Sequence, residues 1–152
     1  FMMHYGKDHP QTAITLNNLG NAWGDLGNHK KKKDLLTRAL EINEKHYGMS
    51  HPQTAANLDN LGNVWGDLGN HEKKKDLLTR ALELNKKLDG KDHPQIAIIL
   101  NNLGNAWGDL GNHEKKKVLL TRALEINEKH YGKKHPNIVI FLNNLRNAMN
   151  NM

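Results

Sequence analysis

Apolar residues recur along this chain with the period of a helix, and the whole pattern then starts again. Leu16, Leu19, Gly20, Trp23 and Leu26 fall at helical spacing and form one stripe. Leu35, Leu36, Ala39, Leu40 and Ile42 form a second. His9-Pro10 opens the first run, because proline suits the first helical turn and its predecessor disfavours the α region. Gly27 can take a positive φ and end that helix, and Asn28 can cap the next. The pattern predicts helices near residues 11–26 and 29–46, roughly 24 and 27 Å long at 1.5 Å per residue. The short connection makes them antiparallel.

This hairpin repeats with a 42-residue offset. Lys7–Gly48 and Lys91–Gly132 differ at four positions, Thr12/Ile96, Thr15/Ile99, Lys30/Glu114 and Asp34/Val118. Met49–Gly90 differs from the first at eleven. The expected divisions are 1–6, the end of a preceding second helix; three units at 7–48, 49–90 and 91–132; and a half unit at 133–152. A period in this range means a stacked array in which each hairpin buries apolar surface only against its neighbours.

Composition fits such an array. The apolar fraction of 37% is low for the 152 residues and suits a thin rod. With no cysteine, disulfides, thiolate zinc sites and cysteine nucleophiles are excluded. No run is apolar enough to span a membrane and nothing reads as a signal peptide, so a cytoplasmic location is the expectation. A net charge of +6 permits anionic partners without demanding them.

The residues Leu16-x-x-Leu19-Gly20-x-x-Trp23, with Ala39 and Leu40 later, resemble the tetratricopeptide repeat. The surrounding YGKDHPQTAITLNNLG resembles the 42-residue form found in kinesin light chains. The resemblance implies an all-α fold, a right-handed solenoid of antiparallel hairpins with the first helices on the concave side. It also implies a peptide-binding scaffold, in which the asparagine of LNNL clamps peptide backbone. That role falls here on Asn18, Asn60, Asn102 and Asn144. One departure concerns the small residue expected early in the second helix, which here is Lys32, Lys74 or Lys116. A lysine there must send its amine to solvent along its stem, which predicts hairpins splayed near that turn.

The asparagines are the candidate site. Asn17, Asn18 and Asn21 lie along one flank of the first helix and recur as Asp59, Asn60, Asn63; Asn101, Asn102, Asn105; and Asn143, Asn144, Asn147. An amide donates and accepts, so a ladder of them can hold an extended peptide without reading its side chains. The same amides could instead bond between units and fix the stack, and asparagine is a poor enough helix former that one role or the other must offset it. Asp25, Asp67 and Asp109 would add negative charge to the groove. Gly24, Gly66 and Gly108 imply close approach of a neighbour or a ligand.

The lysine runs Lys30–Lys33, Lys73–Lys75 and Lys115–Lys117 admit a polyanion or nucleic-acid reading. A solvated outer face with Asp34–Arg38 and Glu41–Lys45 pairs is favoured over it. Trp23, Trp65 and Trp107 are expected to anchor the hairpin core. None of the ten histidines makes the His-x-x-x-His pair of a helical metal site. No nucleophile–base set appears, so no catalysis, metal or cofactor is expected. The final half unit ends in a lone first helix, which predicts head-to-tail self-association as an alternative role.

Overall fold

The computed structural model describes residues 7–132 and 136–150. Among them seven helices follow in order: α1 (Pro10–Asp25), α2 (His29–Tyr47), α3 (Pro52–Asp67), α4 (His71–Asp89), α5 (Pro94–Asp109), α6 (His113–Tyr131) and α7 (Pro136–Asn150). Each pair α1–α2, α3–α4 and α5–α6 is an antiparallel hairpin, and α7 is a single helix behind the last. The helices expected near 11–26 and 29–46 run over Pro10–Asp25 and His29–Tyr47, whereas the helix end expected at 1–6 lies outside the described residues.

The ends are set by local chemistry. Proline occupies the first turn of α1, α3 and α5, and the residue before it is histidine. Nδ1 of His9, His51 and His93 accepts the backbone N–H of Gln11, Gln53 and Gln95 at 3.0, 3.1 and 3.1 Å. The recurring histidine is therefore a helix cap. Asn28, Asn70 and Asn112 cap α2, α4 and α6 in the same way, each accepting from a lysine N–H at 3.0 Å. Gly27 closes α1 at φ 84°. Its N–H reaches Gly24 O, and that of Asn28 reaches Trp23 O, each at 2.9 Å. That is the paired hydrogen-bond pattern of a Schellman stop.

Packing is sequential. The main contacts run between consecutive helices, and alternate first helices, such as α3 and α5, touch only slightly. The second helix explains this, because it carries two apolar faces. Leu35, Ala39 and Ile42 of α2 cluster with Ala13 and Leu16 of α1, whereas Leu36 and Leu40 join Ala55, Leu58 and Leu61 of α3. The core is thus a continuous seam from unit to unit, as a solenoid requires.

Between the helices of a hairpin lies the lysine that the repeat pattern did not lead one to expect. A Cβ on Gly24, Gly66 or Gly108 would fall 2.6, 2.5 or 2.6 Å from Cδ of Lys32, Lys74 or Lys116. The lysine stem lies on the bare glycine backbone. The room for it comes from this glycine, where the sequence reading had assigned it to splaying of the hairpin.

Candidate functional site

The asparagine ladder divides into two sets with different partners. In units 1 and 3 the first asparagine of the pair, Asn17 or Asn101, is half-buried and bonds across to the next unit. Asn17 Oδ1 accepts from Asn57 Nδ2 at 3.0 Å, and Asn101 Oδ1 accepts from Asn144 Nδ2 at 2.9 Å. These bonds cross from α1 to α3 and from α5 to α7. Asn57 is itself buried, at 1% exposure, and accepts from Asn43 Nδ2 of α2. Asn43, Asn57 and Asn17 are thus a chain of amides sealed at the first junction. At the second junction Ile99 stands in place of Asn57, and Phe141 is the equivalent residue of α7 in sequence. There Asn85 and Asn127 turn instead onto their own helix, donating to Ala81 O and Ala123 O at 2.8 and 3.0 Å.

The second asparagine of each pair behaves differently. Asn18 and Asn60 are exposed and Asn102 is half-buried, and none has a hydrogen-bond partner among the described residues. Asn144 is the exception, being drawn into the junction by Asn101. One turn on, Asn21 is exposed and Asn105 half-buried, while Asn63 donates to Asp59 at 3.5 Å. Asp59 and Asn60 line a cleft of about 300 Å³ with Pro52, Ala56, Asn85 and Gln95, where α3, α4 and α5 meet. Burial raises the Asp59 carboxyl above its ordinary value, a shift that the Asn63 bond and the Lys74 charge only partly offset.

Four residues before the open asparagines stands a feature the sequence reading missed. Ile14 and Ile98 are 44% and 48% exposed, as is Ile140 at 58%, with Ala56 at the matching place in α3. Positions four apart are neighbours on a helix, so each open amide has an aliphatic group beside it. The signal was present in the sequence as an apolar residue off the main stripe, at a constant offset from LNN.

Three expectations need correction. The lysine runs are not simply a solvated face. Lys33 and Lys75, whose side chains are only 21% and 19% exposed, lie over Trp65 and Trp107 of the following unit, each 5.0 Å from the ring. Lys73 and Lys115 lie over the same two rings within their own units at 6.0 and 5.9 Å. The tryptophans pack against the core yet stay half-buried, so their second role is as cation-binding faces that tie units together. The ion pairs also differ from expectation. Asp34 meets its chain neighbour Lys33 at 3.1 Å, and Lys45 meets Asp8 of the loop that opens the unit at 3.2 Å. Finally, Asp67 and Asp109 do not simply charge the groove. They face the preceding unit, 3.9 and 3.4 Å from Nδ1 of His29 and His71.

No helix among the described residues is long and apolar enough to cross a membrane. No curated protein matches the chain by sequence. Solved structures match it in fold. BtubC (BKLC) from P. vanneervenii superposes with a TM-score of 0.86 at 23% identity, over 93% of this chain and 57% of its own. The chain thus spans little more than half of that protein. A kinesin-light-chain-like protein of P. anserina with nearly identical TPR-like repeats gives 0.85 at 20% identity, over 94% of this chain and 68% of its own. The first TPR of Spaghetti (RPAP3), bound to the HSP90 peptide SRMEEVD, gives 0.68 at 18% identity, over 92% and 94%. The tetratricopeptide repeat model matches residues 12–53, 54–95 and 96–137 in succession, at the 42-residue spacing of the hairpins. With residues 12–137 of the 152 covered by those three matches, the chain belongs to the tetratricopeptide repeat family.

Proposed function

We propose that the chain is a protein–protein interaction scaffold that holds an extended peptide across α1, α3 and α5. Asn18, Asn60 and Asn102 bind the peptide backbone, Asn21, Asn63 and Asn105 extend the polar track, and Ile14, Ala56 and Ile98 receive its side chains. The observation that carries this reading is the unequal use of the asparagine pairs in units 1 and 3. Asn17 and Asn101 bond the next unit, whereas the side chains of Asn18 and Asn102 have no hydrogen-bond partner among the described residues. Asparagine costs a helix several tenths of a kcal/mol relative to alanine, and no stacking bond among the described residues offsets that at Asn18, Asn60 or Asn102. A structural neighbour that holds a peptide, the RPAP3 domain, adds support at the level of the fold. Panning an unstructured-peptide library against the wild type and against a variant carrying Asn18→Ala, Asn60→Ala and Asn102→Ala tests the reading. Peptides retained by the first and lost by the second are expected; equal retention refutes it.

Head-to-tail self-association is the second reading, and α7 is the observation in its favour. Val139, Leu142 and Met149 of that helix are exposed at positions whose counterparts Ala13, Leu16 and Trp23 are buried or half-buried. A second copy stacking there would cover them in a contact that does not close. Concentration-dependent sedimentation, abolished by Leu142→Glu, is its expected signature. A polyanion partner is disfavoured, because Lys33 and Lys75 are already engaged with tryptophan.

A further inference from the structure

The loop that opens each unit varies at two residues, and the variation changes the surface. In unit 1 the Asp8 carboxylate meets Lys45 Nζ at 3.2 Å. In unit 3 Asp92 takes Arg122 and Lys129 together, the lysine at 3.2 Å. Arg122 above all, then Lys129, holds the Asp92 carboxyl below its ordinary value. Unit 2 keeps both cations, as Arg80 and Lys87, but has Met49-Ser50 where the others have Lys-Asp. Lys87 there reaches only Ser50 Oγ, at 3.4 Å. Arg80 reaches back to Glu44 of the preceding unit at 3.9 Å, the outer limit of an ion pair.

The exchange leaves a cavity of about 510 Å³ in unit 2, against about 260 Å³ for its counterpart beside Asp8. Leu58, Leu84 and the exposed Met49 supply its apolar lining, and Arg80, Lys87 and Glu83 its charged groups. None of the groove asparagines lines it. Glu83 does not bar an anion, since Glu41 lines the corresponding cavity of unit 1 together with Asp8.

We infer that unit 2 carries a second peptide-docking site, which takes a carboxylate between Arg80 and Lys87 and an adjoining apolar side chain over Met49 and Leu84. The incoming carboxylate fills the place that Asp8 and Asp92 occupy in the flanking units. Charge-assisted bonds from two cations, one a guanidinium, are the interaction that a carboxylate satisfies and a neutral amide does not. The site is independent of the groove proposed above.

Two probes separate the source of the carboxylate: N-acetylphenylalanine, with a terminal one, and a blocked phenylalanyl-aspartyl amide, with a side-chain one. N-acetylphenylalaninamide is the neutral control. Binding is followed by NMR at the Met49 methyl and the Arg80 Nε–H. Saturable shifts with either acid and not with the amide are expected, weakening as salt is added. Ser50→Asp, which restores the latch of units 1 and 3, should abolish them, and Arg80→Gln should weaken binding about tenfold or more. Equal shifts with the neutral amide, shifts that survive Ser50→Asp, or shifts confined to the asparagine side chains would overturn the proposal.

Discussion

Lys32 Cδ lies where a side chain on Gly24 would have to begin, 2.6 Å from the position its Cβ would take. The same fit joins Gly66 to Lys74 and Gly108 to Lys116. The two residues depend on each other, since glycine inside a helix costs about 1 kcal/mol against alanine. Gly66→Ala alone is therefore expected to destabilise by about 1–3 kcal/mol through overpacking, despite its better helix propensity. Gly66→Ala with Lys74→Ala should recover that loss, and urea unfolding of the four-member cycle should show coupling above about 1 kcal/mol. Additive effects would mean that the lysine moves aside freely.

Asp59 occupies the place of Asn17 and Asn101, and burial raises its carboxyl pKa. Between the unfolded value, near 3.8, and the higher folded one, the folded chain holds more protons. Stability therefore falls as pH rises through that window, and the deficit persists at neutral pH. Asp59→Asn should raise stability at pH 7 and make little difference below the unfolded value. Denaturation curves at the two pH values check it, and an equal gain at both would contradict it.

Asn57→Ile tests whether the buried amide chain at the first junction is needed for stability. Ile99 already stands at the same place in unit 3, where the neighbouring Asn85 bonds Ala81 O of its own helix. Asn43 is expected to turn onto Ala39 O in the same way, since the two lie four residues apart as Asn85 and Ala81 do. Asn57→Ile should therefore be neutral or mildly stabilising in thermal melts. Asn43→Leu should cost about 1–3 kcal/mol, because it leaves the buried Asn57 Oδ1 without its donor.

Lys30 stands in the first turn of α2, where units 2 and 3 have Glu72 and Glu114. Glu72 pairs with Lys75, and Glu114 with Lys117 at 3.5 Å. Lys30→Glu should gain the equivalent pair with Lys33 and relieve repulsion at the helix N-terminus, together about 0.5–1 kcal/mol. At this size that raises Tm by roughly 1–4 °C. An unchanged or lower Tm would count against it.

Much of this fold was legible in the sequence because each rule acted within one unit. Pro10, Gly27, Asn28 and the two stripes fix the helices locally, and the repetition at a constant 42-residue offset fixes the stack. What escaped depended on contacts between units. Nothing local says that Lys33 crosses to Trp65, or that Asp8 rather than Glu41 meets Lys45. The lysine at position 32 and the glycine at 24 were each noticed as anomalies, but only the hairpin shows that each accounts for the other. The asparagines were found as a set, yet their division required knowing which flank of α1 meets α3. Ile14 and Ile98 were passed over because they stand off the stripe that defines the core.

Comparing two variants by urea unfolding tests the central division most directly. One carries Asn18→Ala, Asn60→Ala and Asn102→Ala; the other carries Asn17→Ala and Asn101→Ala. The first should be as stable as the wild type or slightly more so, since alanine is the better helix former and no bond is lost. The second should lose about 1–2 kcal/mol, as Asn57 and Asn144 lose their acceptors. A marked loss in the first, with the second unaffected, would show that the open asparagines hold the stack and would contradict the account.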